Sequence, residues 1–114
     1  MIRLKRAYEK PAPSDGVRIL VDRLWPRGVS KAKLKLDRWE KDIAPSDALR
    51  TWFGHDPERW SGFKRKYKNE LRARKKELAE LRALSKRRTI TLVFGAKDEE
   101  RNQAVVLQEV LSGK

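Results

Sequence analysis

Residues 17–28, VRILVDRLWPRG, carry an apolar run straight into an acid, two arginines, a tryptophan, a proline and a glycine. Ligands of open α/β sheets gather beyond the carboxyl ends of strands, so Asp22, Arg23, Trp25 and Arg27 stand where a site is expected. Arg23 and Arg27 offer planar forks that match phosphate or carboxylate, and Trp25 offers an apolar face for a base or a lid over a ligand. A second polar cluster, Lys97, Asp98, Glu99, Glu100, Arg101 and Asn102, follows the apolar run TITLVFGA. If the two runs are neighbouring strands, the clusters share one site. In it Arg23, Trp25, Arg27, Lys97, Arg101 and Asn102 are the ligand-binding candidates, and Asp22, Lys97, Asp98 and His55 the candidates for any catalytic role. The same residues also permit a site that binds nothing, with Lys97 paired to Asp22, Trp25 packed on Arg23 or Arg27, and Asp98 capping the helix that follows.

His55 is the only histidine. It stands in GHDP, where a chain reversal and a helix start already account for a polar ring, and acid–base work requires reach to a substrate at the strand ends. Ser14, Ser30, Ser46, Ser61, Ser85 and Ser112 have no base partner legible from spacing, and no GxSxG elbow is present. The absence of cysteine removes thiol chemistry and disulfides, and with one histidine it leaves no zinc, haem or iron–sulfur group to expect. Asp22, Asp98 and Glu99 are the carboxylates that would suit magnesium, but no metal site is assigned.

Hydrophobic pattern and turn residues set the surrounding secondary structure. Residues 2–8 alternate apolar and polar, as in a half-buried edge strand. Pro11, Pro13, Ser14, Asp15 and Gly16 form a turn. Residues 17–24 then read as an interior strand, because Ile19, Leu20 and Val21 are consecutive, and residues 89–96 read as a second. Residues 30–44 are assigned to a helix from Leu36, Trp39 and Ile43, although Leu34 and Leu36 alternate like a short strand. Ser46 caps a helix through Phe53 that Gly54 closes. Asp56 and Pro57 open another, running to about Leu84, with Trp60, Phe63, Tyr67, Leu71, Leu78 and Leu81 in one stripe. A last amphipathic helix ends at Leu111. At 114 residues the chain is sized for one α/β domain spanning 1–114, with a small, mostly parallel sheet flanked by helices.

Net charge is +13, a long-range field that attracts phosphates, anionic membranes and acidic proteins. Residues 64–88 hold twelve basic and three acidic residues, a net +9 of that total. On a continuous helix Lys64, Lys68, Arg72 and Lys75 share a face that either contacts nucleic acid or is simply solvated. No stretch of 18 apolar residues occurs and MIRLKRAYEK lacks the core of a signal peptide, so a cytoplasmic protein without membrane insertion is expected.

The motifs DGVRILVDRLWPRGVSK, APSDALRTWFGHDP and VFGAKDEERNQAVVLQEVL resemble the domain of unknown function 488 family, and within it the YeaO-like branch, from residue 2 to about 111. The resemblance implies a compact Rossmann-like α/β domain. It marks Asp22, Arg23, Trp25, Pro26, Arg27, Gly28, Trp52, Phe53, Gly54, His55, Asp56, Pro57, Lys97, Asp98 and Asn102. A methyltransferase name attached to some such proteins finds no glycine-rich cofactor loop after the first strand here. Two positions depart from the family pattern: Phe94 replaces a tyrosine and Arg101 a histidine. Arginine does not release a proton near neutrality, so chemistry through that histidine is lost, whereas anion binding survives. Three functions stay open. The first is a cleft for a phosphate-bearing or other anionic small ligand or nucleotide, with enzyme activity undecided and any cofactor unknown. The second is a nucleic-acid-associated module, and the third a plain interaction or regulatory domain.

Overall fold

Four parallel strands form the sheet of the computed structural model, which describes residues 1–113. They are β1 (Ile2–Arg6), β2 (Val17–Leu20), β3 (Arg38–Trp39) and β4 (Ile90–Phe94), in the order β1-β4-β2-β3. Ile90 lies opposite both Ile2 and Val17, so β4 and β2 are central neighbours and β1 is an edge. Every residue of β2 and β4 is buried, as parallel strands covered on both faces must be. The α/β class with a parallel sheet is the one the sequence predicts.

Side chains of the central strands alternate between two cores. Val17, Ile19, Val21, Ile90, Leu92 and Phe94 face the helices, among Phe53, Phe63, Tyr67, Leu81 and Leu107. Leu20 and Val93 face the other way, onto Ala7, Leu34 and the half-buried Trp25, Leu36 and Trp39. At the amino end of β2, Gly16 (φ 64) passes so close to β4 that a Cβ would stand 2.1 Å from the Thr89 carbonyl oxygen. Beside it lies a buried ion pair that residue pattern did not reveal. Arg18, 4% exposed, donates to Asp15 at 2.7 Å and to the Leu34 carbonyl at 2.8 and 3.1 Å. Lys5 donates to the same Asp15 carboxylate at 3.0 Å.

Three sequence expectations are corrected. The strand expected over 17–24 ends at Leu20, because the chain beyond is held by side chains. The Asp22 carbonyl accepts the Trp39 indole N–H at 2.7 Å and its carboxylate accepts the Gly95 N–H. The helix expected over 30–44 is one turn, α1 (Lys31–Leu34), ended by Lys35 at φ 48, then β3 and a 3-10 turn at Lys41–Ile43. The edge of β2 decides this: Asp37 and Glu40 donate their N–H groups to the Arg18 and Leu20 carbonyls at 2.9 and 3.0 Å, overriding the helical spacing. The long helix from Asp56 is divided into α3 (Trp60–Leu71), a 3-10 turn (Arg72–Arg74) and α4 (Lys75–Arg87). Arg74, at φ −118 and ψ 33, marks the break without any glycine or proline. Both halves still bury their stripe, and Arg82 ties α4 to the Val110 and Leu111 carbonyls at the end of α5 (Gln103–Leu111). Between Ile43 and α3, α2 (Asp47–Phe53) is capped by Ser46 and closed by Gly54 at φ 51, as expected.

The cap of α5 is also not the expected one. Asn102, extended at φ −148 and ψ 168, accepts the N–H groups of Ala104 and Val105 at 2.9 and 3.2 Å. Asp98 instead accepts from Glu100 and Arg101 within the preceding loop. Asn102→Ala is therefore expected to destabilise the fold by about 1–2 kcal/mol in urea denaturation. An unchanged midpoint would deny the cap its role. No helix among the described residues is long and apolar enough to cross a membrane.

Candidate functional site

Beyond the carboxyl ends of β2 and β4 lies a cavity of about 400 Å³, within the size range of small-molecule sites. The loop after β2 contributes Asp22, Arg23, Leu24, Trp25, Pro26 and Arg27, and the loop after β1 contributes Tyr8. Arg50 and Phe53 come from α2, His55 from the turn after it, Gly95 and Ala96 from the end of β4, and Arg101, Asn102 and Gln103 from the start of α5. The fold thus brings together six of the sequence-selected residues besides His55: Asp22, Arg23, Trp25, Arg27, Arg101 and Asn102.

Asp22 sits at the centre of the wall. One carboxylate oxygen accepts the Gly95 N–H at 2.8 Å, and the other accepts the side-chain amide of Gln103. Gly95 has no room for a side chain, since a Cβ would stand 2.9 Å from that carboxylate. Burial pushes the Asp22 pKa up from 3.8 to about 6, against the opposing pull of the Gly95 and Gln103 hydrogen bonds and the Arg50 charge. The group therefore titrates near neutrality while facing a cavity, a pattern that concentrates at functional sites.

The four arginines of the lining differ in how they are held. Arg23 is braced against the Pro45 and Ala44 carbonyls at 3.1 and 3.2 Å, which makes it a strut between the β2 loop and the segment leading into α2. Arg50 reaches Asp47 at 3.3 Å, and Arg101 reaches Asp98 at 3.3 Å. The Arg27 guanidinium has no hydrogen bond or ion pair among the described residues. Asn102 is buried, and its side-chain atoms are engaged by the α5 cap and the Asp98 carbonyl. Its place in the wall is thus that of a scaffold.

Several expected contacts are not made. Lys97 is exposed and outside the cavity lining, and it does not pair with Asp22. Asp98 also lies outside the lining, where Glu100 and Arg101 amides hold it. Trp25 packs edge-to-face on Trp39, with centroids 5.3 Å apart, rather than on an arginine, and its indole N–H bonds the Val29 carbonyl at 2.6 Å. That anchoring places it in the cavity wall. His55 takes a left-handed backbone (φ 58) at the rim, its ring 6.1 Å from Phe53. Among the described residues no group of three or more histidines, aspartates or glutamates is placed to hold a metal, so the Asp22, Asp98 and Glu99 set does not form one.

Tyr8, Arg50 and Gln103 were missed from sequence. The signal for Tyr8 was its place just past a strand's carboxyl end, the same rule that selects Asp22. Gln103 adjoins Asn102 at a helix start, but Arg50 offers no signal short of knowing that α2 borders the cavity. The proposed nucleic-acid face is also altered by the helix break. Lys64 and Lys68, on α3, share Glu109 of α5 at 3.1 and 3.5 Å, whereas Arg72 lies in the break and Lys75 opens α4.

A family model described as "Inactive DUF488-N3 subclade" matches residues 1–114. The chain belongs to the DUF488 family. It is 42% identical to the uncharacterized protein YeaO of Escherichia coli (strain K12) over 110 residues, covering 96% of each chain. Uncharacterized proteins of Mycobacterium tuberculosis and Mycobacterium bovis are also 42% identical, over 113 residues, 99% of this chain and 95% of theirs. No solved structure matches the chain. Of the two positions that the resemblance sets apart, Phe94 is buried in the helix-side core, whereas Arg101 lines the cavity.

Proposed function

We propose that this DUF488 protein binds a small phosphate-bearing anion in the strand-end cleft, as a binding domain rather than an enzyme. The observation that carries the reading is Arg27, a guanidinium without a protein partner among the described residues, beside Arg50 and Arg101 in one cavity. Planar forks of this kind hold phosphate by paired N–H donors. Asp22 accepts one hydrogen bond on each oxygen and keeps lone pairs for a hydroxyl or N–H elsewhere on the ligand. The word "Inactive" in the description of the matching family model supports binding over turnover. So does Arg101, which cannot serve as a proton carrier at a position lining the site. A cytoplasmic location belongs to the same reading, supported by the cysteine-free composition.

Thermal melting in phosphate against chloride, at constant ionic strength, tests it. A ligand that binds only the folded state stabilises by roughly 2.7 kcal/mol at a hundredfold excess over its dissociation constant. The wild type should show the shift and Arg27→Ala should lose most of it. Equal shifts in the two proteins would place the effect elsewhere.

A further inference from the structure

Among the described residues only Met1, Tyr8 and Leu24 are large hydrophobic side chains left exposed, on a chain in which 39% of residues are charged. Two of the three, Tyr8 at 50% and Leu24 at 59% exposure, line the same cavity as Arg27. Apolar surface left open beside a polar site gains free energy only when something covers it. The Tyr8 ring is also fixed in place. Its hydroxyl donates to the Arg27 carbonyl at 3.0 Å, and the Arg6 guanidinium, held by the Ala96 carbonyl at 2.9 Å, stands 5.1 Å from the ring centroid. A ring held at its hydroxyl and flanked by a cation is preorganised for contact, because little side-chain entropy remains to lose.

We infer that the ligand of this cleft carries an aromatic ring as well as its anionic group, the ring resting on Tyr8 and Leu24 while Arg27 takes the anion. The inference rests on the anion-binding reading above and adds the second half of the ligand. The hydrogen bond from Tyr8 to the Arg27 backbone ties the apolar lip to the segment bearing the unpartnered guanidinium. A molecule meeting both thus has its ring and anion separated by a short linker. A nucleoside monophosphate and a simple aryl phosphate share this chemistry.

Calorimetric titration with inorganic phosphate, butyl phosphate, ribose 5-phosphate, phenyl phosphate and adenosine monophosphate separates the possibilities. The expected result is that at least one of the two aromatic phosphates binds tenfold or more tightly than the three without an aromatic ring. Leu24→Ala and Tyr8→Ala should each remove most of that preference. Tyr8→Phe, which keeps the ring and loses its tether, should keep only part of it. A preference for adenosine monophosphate over phenyl phosphate assigns the ring to a nucleoside; the reverse assigns it to an aryl group. If inorganic phosphate binds and the aromatic ligands bind no better, or if butyl phosphate or ribose 5-phosphate matches them, the aromatic ring is excluded while the anion site stands. A ring preference untouched in both Leu24→Ala and Tyr8→Ala also overturns the placement. If none of the five binds, the anion-binding reading itself fails.

Discussion

Asp15→Ala is expected to lower the stability of the fold by about 3–5 kcal/mol, the usual cost of removing one partner from a buried ion pair. Arg18 would keep its charge at 4% exposure with only the Leu34 carbonyl to satisfy it, and Lys5 would be left with the Lys10 carbonyl alone. The Ala12 N–H, which donates to Asp15 at 3.0 Å, would be orphaned as well. Burial alone would raise the Asp15 pKa, but hydrogen bonds from Ala12, Lys5 and Arg18 outweigh it and hold the group below 3.8. A carboxylate whose folded pKa is depressed contributes stability above its unfolded pKa and loses it as pH falls through the folded value. The deficit of Asp15→Ala should therefore be full at pH 6 and shrink below pH 4. Adding Arg18→Met should recover part of the loss, since the buried charge goes with its partner. A single-variant cost under about 1 kcal/mol would contradict the account.

Asp22→Asn should move stability in the opposite direction. The folded protein keeps a proton on Asp22 up to about pH 6, whereas the unfolded chain releases it near 3.8. Stability from this group is thus present below pH 3.8 and is lost as pH rises through 6, by roughly 3 kcal/mol in all. Asparagine carries no charge at any pH, still accepts from the Gly95 N–H, and meets Gln103 once that amide turns its oxygen inward. Urea denaturation at pH 8 should find Asp22→Asn more stable by up to about 3 kcal/mol, with the gap closing below pH 4. A gap equal at both pH values would remove Asp22 from consideration as a desolvated charge. A charge that costs the fold this much is retained most readily where it serves a site. The same carboxylate repels an anion, so sulfate, whose charge is constant over this range, should bind more tightly at pH 5.5 than at pH 7.5 in the wild type, with a smaller difference in Asp22→Asn.

Much of this arrangement was legible because it depends on local pattern. Consecutive Ile19, Leu20 and Val21 announced a strand buried on both faces, and the polar residues after it marked the site that the cavity lines. What was not legible depends on partners distant in sequence. The edge strand at Arg38–Trp39 exists because β2 offers unmet carbonyls, a fact outside residues 30–44. Arg23 looked like an anion clamp, yet carbonyls 21 and 22 residues away hold it as a strut. Lys97 looked equivalent to Arg27, but the chain turns after Gly95 and leaves it outside the lining. The division of the long helix at Arg72–Arg74 has no glycine, proline or capping residue to announce it. Its effect on the basic face could not be read from the periodicity that placed Lys64, Lys68, Arg72 and Lys75 together.

The most direct measurement is a titration of the isotope-labelled protein with phosphate, followed by amide and indole resonances at constant ionic strength. Saturable shifts confined to the cleft are expected, in Arg27, Gly28, Gly95, Arg101, Gln103 and the Trp25 indole, and they should disappear in Arg27→Ala. Shifts spread along α3 and α4 over residues 64–88, with the cleft resonances unmoved, would contradict it and return the positive charge to the helical face.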